Sequence, residues 1–283
     1  MFTSGVFQQI GIYFRKTVRI AVHERFWKSV LFSAIVAVVI SYVIGEKMFD
    51  TFENTQSGFF TICSACVWVG IFNSIQIVCR EHEIIHADCR SGMHISSYII
   101  SSVIWQFILC LLEALVIYFI STLFVDYTDE GLIFESARVE YFITMLLLIF
   151  CSDCMGIMVS AIAKDQNMAM VIMPFVLIFQ LILAGTLFDL SGLADKLSNI
   201  TFTKWGMSAF GSIADLNDRD SFPLRIADYL SPDIMETIQF EDPPETYEHT
   251  VKTLVKAWSA NLGVAFGCIA LSGVVLKLRN KGS

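Results

Sequence analysis

Six stretches of this sequence are long and apolar enough to cross a lipid bilayer, and that pattern limits the fold more than any other feature. They run over Val30–Gly45, Phe59–Val78, Ile95–Ser121, Tyr141–Ala163, Met168–Phe188 and Trp258–Leu276. A hydrocarbon core about 30 Å thick needs about 20 apolar residues in a helix. Backbone amides in lipid find no water, so each segment must close its hydrogen bonds internally, as a helix does. The first stretch is short for an untilted span, which moves its start toward Phe26. Only 16% of the residues are charged and 55% are hydrophobic, whereas a water-soluble chain carries about a quarter charged. The expected fold is an all-α membrane protein with six transmembrane helices in one domain over residues 1–283. Its expected parts are an interfacial helix at 6–27, spans one to five at 28–188, an outer loop at 189–257 and span six at 258–277.

Orientation follows from the basic residues, which favour cytoplasmic loops. With both termini inside, the inner side carries eleven Lys/Arg and five Asp/Glu, and the outer side eight and twenty. The inner surface is then +6 and the outer −12, with Glu113 and Asp153 inside spans completing the net −8. The acidity belongs to the outer face, and no nucleic-acid partner is implied. The first positive charge is Arg15 and no cleavable apolar leader follows it, so membrane insertion is expected to rest on the first span.

Before that span, Phe7, Ile10, Phe14, Val18 and Ala21 form one helical stripe, and Arg15, Arg19 and His23 another. Such a helix lies along the cytoplasmic interface. The outer loop reads as short helices broken near Pro223, Pro232 and Pro243-Pro244. All eight cysteines fall in spans or on the inner side, so no disulfide is expected to staple the outer loop.

Four patterns could carry chemistry. His82-Glu83-Ile84-Ile85-His86 is H-E-x-x-H, which on a helix offers two zinc ligands and a general base. It needs a third ligand, and without one it is a charged hairpin segment facing a soluble partner. Cys63-x-x-Cys66 and Cys151-x-x-Cys154 sit in apolar helices, where packing explains them better than metal. Glu113 and Asp153 are costly in a bilayer and are functional or hydrogen-bonded structural candidates. Gly263-x-x-x-Gly267 permits close approach, within the bundle or at a subunit contact.

Around the same hairpin stand Glu81, Asp88, Ser91-Gly92 and Ser96-Ser97-Tyr98. That order and spacing resembles the membrane domain of the G subfamily of ABC transporters and related bacterial ABC-2 type permeases. Gly156–Ala163, Pro174 with Ala184–Phe188, and Lys204–Phe210 are similar to further stretches of the same domain. The resemblance implies that Glu81, Glu83, Asp88, Arg90 and Gly92 belong to the segment that couples to the ATPase. It also implies that Val69, Phe72, Asn73, Phe175, Ile178, Phe179 and Leu187 line or gate the substrate path. These 283 residues contain no G-x-x-x-x-G-K-[ST] phosphate loop. ATP and magnesium are therefore expected on ABC ATPase subunits supplied in trans, with no cofactor on this chain. A dimer with a second membrane subunit, a plasma (cytoplasmic) membrane location and export of an amphipathic or hydrophobic cargo follow from the resemblance. Two alternatives stand beside it: a membrane zinc metalloprotease using His82 and His86, and an ion-gradient-driven secondary transporter using Glu113 and Asp153.

Overall fold

The computed structural model describes residues 5–23, 26–188, 190–219 and 245–281. The expected breaks at Pro223, Pro232 and Pro243-Pro244 lie outside these residues. The described residues are mainly helical, joined by turns and by one longer non-helical stretch at 122–136. Helix α1 covers Val6–His23, α2 Trp27–Ile44, α3 Phe52–Ser74, α4 Ile77–Arg80 and α5 His82–Arg90. The chain continues with α6 Ile95–Ser121, α7 Ala137–Ile162, α8 Gln166–Ile182, α9 Leu193–Ser198, α10 Phe202–Ile213 and α11 Val251–Lys281.

Local chemistry sets several boundaries. The Thr51 side chain caps α3 by accepting from Asn54 N at 3.2 Å, and Asp165 caps α8 by accepting from Met168 N at 2.8 Å. Arg279, near the end of α11, donates to the Ala161 and Ala163 carbonyls at 2.9 and 2.8 Å. It thereby satisfies orphan carbonyls at the end of α7.

Among the described residues, five helices are long and apolar enough to span a membrane: α2, α3 continued through α4, α6, α7 and α11. The fifth expected span is shorter than the sequence pattern suggests. Its helix α8 has 17 residues and stops at Ile182 rather than Phe188. Gly185, at φ +75°, turns the chain away where the apolar run continues.

The bundle is built on α3 and α7, which pack along most of their lengths, with α11 on the other flank of α7. Helix α6 joins α7 to α2 and to the N-terminal helix α1. Close α3–α7 approach is set by glycines that the sequence pattern did not single out. A Cβ on Gly70 would overlap the Ile149 carbonyl oxygen, and one on Gly156 would overlap Ser74 Oγ. Gly263 and Gly267 have nothing within 4 Å, so their motif is not a contact inside the bundle.

The outer segment also departs from a surface loop. Helix α10 wedges between α3, α7 and α11 with only Lys204 and Trp205 short of full burial. Its Phe210 stacks on Phe59 at 5.0 Å, and Tyr141 stacks on Phe59 at 5.6 Å. The eight cysteines are free thiols, seven of them buried, in keeping with a packing role for both C-x-x-C pairs.

Candidate functional site

The hairpin between α3 and α6 folds into a compact inner corner. Helices α4 and α5 are separated by a bend at Glu81, and the loop after α5 turns at Gly92, whose φ of +102° favours glycine. Ile85 anchors α5 in a small apolar cluster with Val78, Met93, Tyr98 and Leu276. The opposite side shows Arg80, Glu83, Ala87 and Arg90 to solvent, beside exposed Ile84. Within α5, Glu83, Ala87 and Arg90 are spaced by four and three residues and make one stripe.

Three polar ties hold this corner. Tyr98 OH on α6 donates to Glu81 Oε2 at 3.1 Å. Lys16 Nζ on α1 pairs with Asp88 Oδ2 at 3.4 Å. Gln9 uses both ends of its amide: Nε2 donates to the Gly92 carbonyl at 3.1 Å, and Oε1 accepts from His94 N at 2.9 Å. Tyr13 stands beside Asp88, and burial, then that carboxylate, push its hydroxyl up to about 12. Sequence reasoning found Glu81, Asp88 and Gly92 but missed Gln9, Tyr13 and Lys16. Their signal was present: positions 9, 13 and 16 fall on one helical face.

His82 and His86 do lie on one face of α5, with ring centroids 5.8 Å apart and rings 66° from parallel. The metal alternative lacks its third donor, since no group of three His, Cys, Asp or Glu gathers among the described residues. Burial first, then the Arg279 and His86 charges, lower the basicity of His82.

The two intramembrane carboxylates occupy separate clusters. Asn73 Nδ2 on α3 donates to both Glu113 oxygens on α6, at 2.8 and 2.7 Å. Ser29 Oγ on α2 adds a bond to Glu113 Oε1 at 2.6 Å. Gln106 Nε2 on α6 donates to Asp153 Oδ1 on α7 at 2.7 Å. These bonds tie α2, α3, α6 and α7 together at fully buried positions, where an unpaired carboxylate would be costly. Replacing Asn73 with Leu strips two of three hydrogen bonds from Glu113. The expected loss is about 1–3 kcal/mol, read as a lower unfolding temperature in detergent. Glu113→Gln keeps an acceptor and should cost less. Equal unfolding temperatures for wild type and Asn73→Leu would contradict this role.

The path residues divide into two groups. Phe175, Ile178 and Phe179 lie exposed on α8 beside Val171 and Ile182, and Leu187 is exposed just beyond the helix. Phe72 is half-exposed on α3, stacked on Phe32 at 5.5 Å. Asn73 is turned to Glu113. Val69, at 0% exposure, faces the core together with Ile62 and Cys66, one helical stripe of α3. The structure brings the α8 residues onto one open apolar face and leaves Val69 behind it.

Comparison with known proteins gives two matches. The family model for ABC-2 type transporters matches residues 8–213, well over half of the chain. An ABC transporter ATP-binding/permease protein of Mycobacterium tuberculosis is 22% identical over 153 residues, which cover 53% of this chain and 18% of that relative. The chain thus spans less than a fifth of the length of that curated relative.

Proposed function

The chain belongs to the ABC-2 type transporter family, and from that premise we propose that it is the permease subunit of an ATP-driven exporter. In this reading two membrane subunits form a dimer, and separate ABC ATPase subunits bind ATP and magnesium. The curated relative's name joins ATP-binding and permease functions; these 283 residues hold no phosphate loop, and in this reading ATP binding falls to the separate subunits. Helix α8 acts as the fifth of six spans: its 17 residues rise ~26 Å, near the hydrocarbon thickness. Both termini then face the cytoplasm, and the protein resides in the plasma (cytoplasmic) membrane.

The observation that carries this reading is the exposed stripe Glu83–Ala87–Arg90 on a short segment anchored by Ile85 and tied to α1 and α6. A rigid segment with a polar outer face suits a soluble partner that pushes on the bundle. ATP-driven closure of the ATPases would move α4 and α5, and through them tilt α3 and α8 between inward-open and outward-open states. The α8 face of Phe175, Ile178 and Phe179, with Phe72 and Leu187 beside it, would line the route. Its apolar character suits an amphipathic or hydrophobic cargo.

The test is reconstitution. The protein, co-expressed with a candidate ATPase bearing a G-x-x-x-x-G-K-[ST] loop, should co-purify with it. In vesicles the pair should move a lipophilic fluorescent cargo only when ATP and magnesium are supplied. Transport by this chain alone under an ion gradient would overturn the proposal in favour of a secondary transporter.

A further inference from the structure

A cavity of about 290 Å³ opens at the inner end of the bundle, between α1, the start of α2, the end of α3 with α4, and α6. Ligand pockets commonly range over about 300–1,000 Å³. This one therefore suits a small polar group rather than an acyl chain or a drug-sized cargo.

Its wall carries both signs of charge. Lys28 and Arg80 bring two cations, and Glu81 brings a carboxylate. Phe26 and Trp105 meet edge to face in the same wall, with centroids 6.1 Å apart. Aromatic faces attract ammonium groups. The floor is polar as well. Ser29, Asn73 and Gln106 line it, and behind them lie Glu113 and Asp153, held by those same side chains. A ligand that matches this wall carries an anionic and a cationic group close together.

Position identifies the source of such a ligand. The first turn of α2 places exposed Trp27 next to Lys28 at the cavity, and tryptophan marks headgroup depth. From there the outer side of α2 presents Leu31, Ile35 and Val38, all exposed and spaced by four and three residues. That stripe offers a path for a hydrocarbon chain starting at the cavity mouth.

We propose that this cavity binds the headgroup of a zwitterionic phospholipid. The phosphate meets Lys28 and Arg80, the ammonium meets Glu81 and the Phe26–Trp105 pair, and an acyl chain follows the Leu31–Ile35–Val38 face. The site needs a membrane but no ATPase, so it stands or falls independently of the transport reading.

The full chain, delipidated in mild detergent, is titrated with dioleoylphosphatidylethanolamine and bound lipid is counted by native mass spectrometry. One lipid per chain should be retained about tenfold better than dioleoylphosphatidylglycerol or dioleoylglycerol of the same chains. Lys28→Glu, an exposed change that leaves the packing intact, should abolish the preference, as should Trp105→Ala. Thermal unfolding of each variant controls for folding. Equal retention of dioleoylglycerol, a preference for phosphatidylglycerol, or an unchanged profile in folded Lys28→Glu each overturns the proposal. Displacement of the lipid by soluble glycerophosphoethanolamine at comparable concentration also overturns it, by making a free phosphoester the ligand.

Discussion

Reversing charge at both Glu81 and Asp88 should cut ATP-coupled transport by about 5- to 150-fold, the range of a coupling free energy of about 1–3 kcal/mol. Glu81→Lys would face Tyr98 OH with a donor in place of the acceptor it meets at 3.1 Å. Asp88→Lys would put a second cation against Lys16, now paired at 3.4 Å. Stability should change far less than transport. The Lys16–Asp88 pair is about one-third exposed on each side, and exposed pairs contribute about 0–1 kcal/mol. The Gln9 clamp on Gly92 and His94 remains, as does Ile85 in its cluster. The double variant should therefore insert and unfold much like wild type, and ATP hydrolysis by the partner should run without moving cargo. Tyr98→Phe should lose a smaller part of the coupling, because Glu81 keeps its charge. Unchanged transport in the double variant would sink the coupling assignment.

The helices were legible because bilayer thickness writes itself into sequence as length. Five apolar helices of spanning length, the helix that precedes them and the hairpin at Glu81 follow from hydropathy and charge alone. The end of α8 did not, since Leu183–Phe188 is as apolar as the helix before it, and the break comes from the backbone at Gly185. Helix α10 falls in the stretch that the mixed pattern marks as an outer loop of short helices, yet all of its residues except Lys204 and Trp205 are buried between three helices. The candidate site was half legible. Motif spacing picks out Glu81, Asp88 and Gly92, whereas the partners of Asp88 and Gly92, namely Gln9, Tyr13 and Lys16, sit on α1, more than seventy residues away. Asn73 shows a further limit: its side chain is bonded to Glu113 across two helices, a pairing that the sequence does not reveal. Hydropathy can say that a buried acid needs a donor but not which helix supplies it.

The largest stability effect should come from Gly70. A Cβ there overlaps the Ile149 carbonyl oxygen and lies 2.8 Å from Ser152 Cβ and 3.0 Å from Asp153 N. Two of these three atoms are backbone of α7, which cannot rotate away, so the helices must separate. Glycine-to-alanine exchange in a helix otherwise gains about 1 kcal/mol of propensity. Overpacking in a dense interior costs about 1–3 kcal/mol, occasionally more, and a backbone clash belongs at the upper end. Gly70→Ala should therefore be destabilising on balance, and Gly70→Leu should fail to accumulate in membranes. Gly156→Ala should be destabilising too, because Ser74 Oγ is held in place by its bond to the Asp153 carbonyl at 2.8 Å. Gly263→Ala, with nothing within 4 Å, should be neutral or slightly stabilising in the isolated chain. Unfolding temperatures in detergent would rank the three alanine variants. A Gly70→Ala protein as stable as Gly263→Ala would mean that α3 and α7 do not meet at this crossing. If Gly263→Ala leaves the isolated chain intact but weakens subunit association, the Gly263-x-x-x-Gly267 face is the place where a second copy packs.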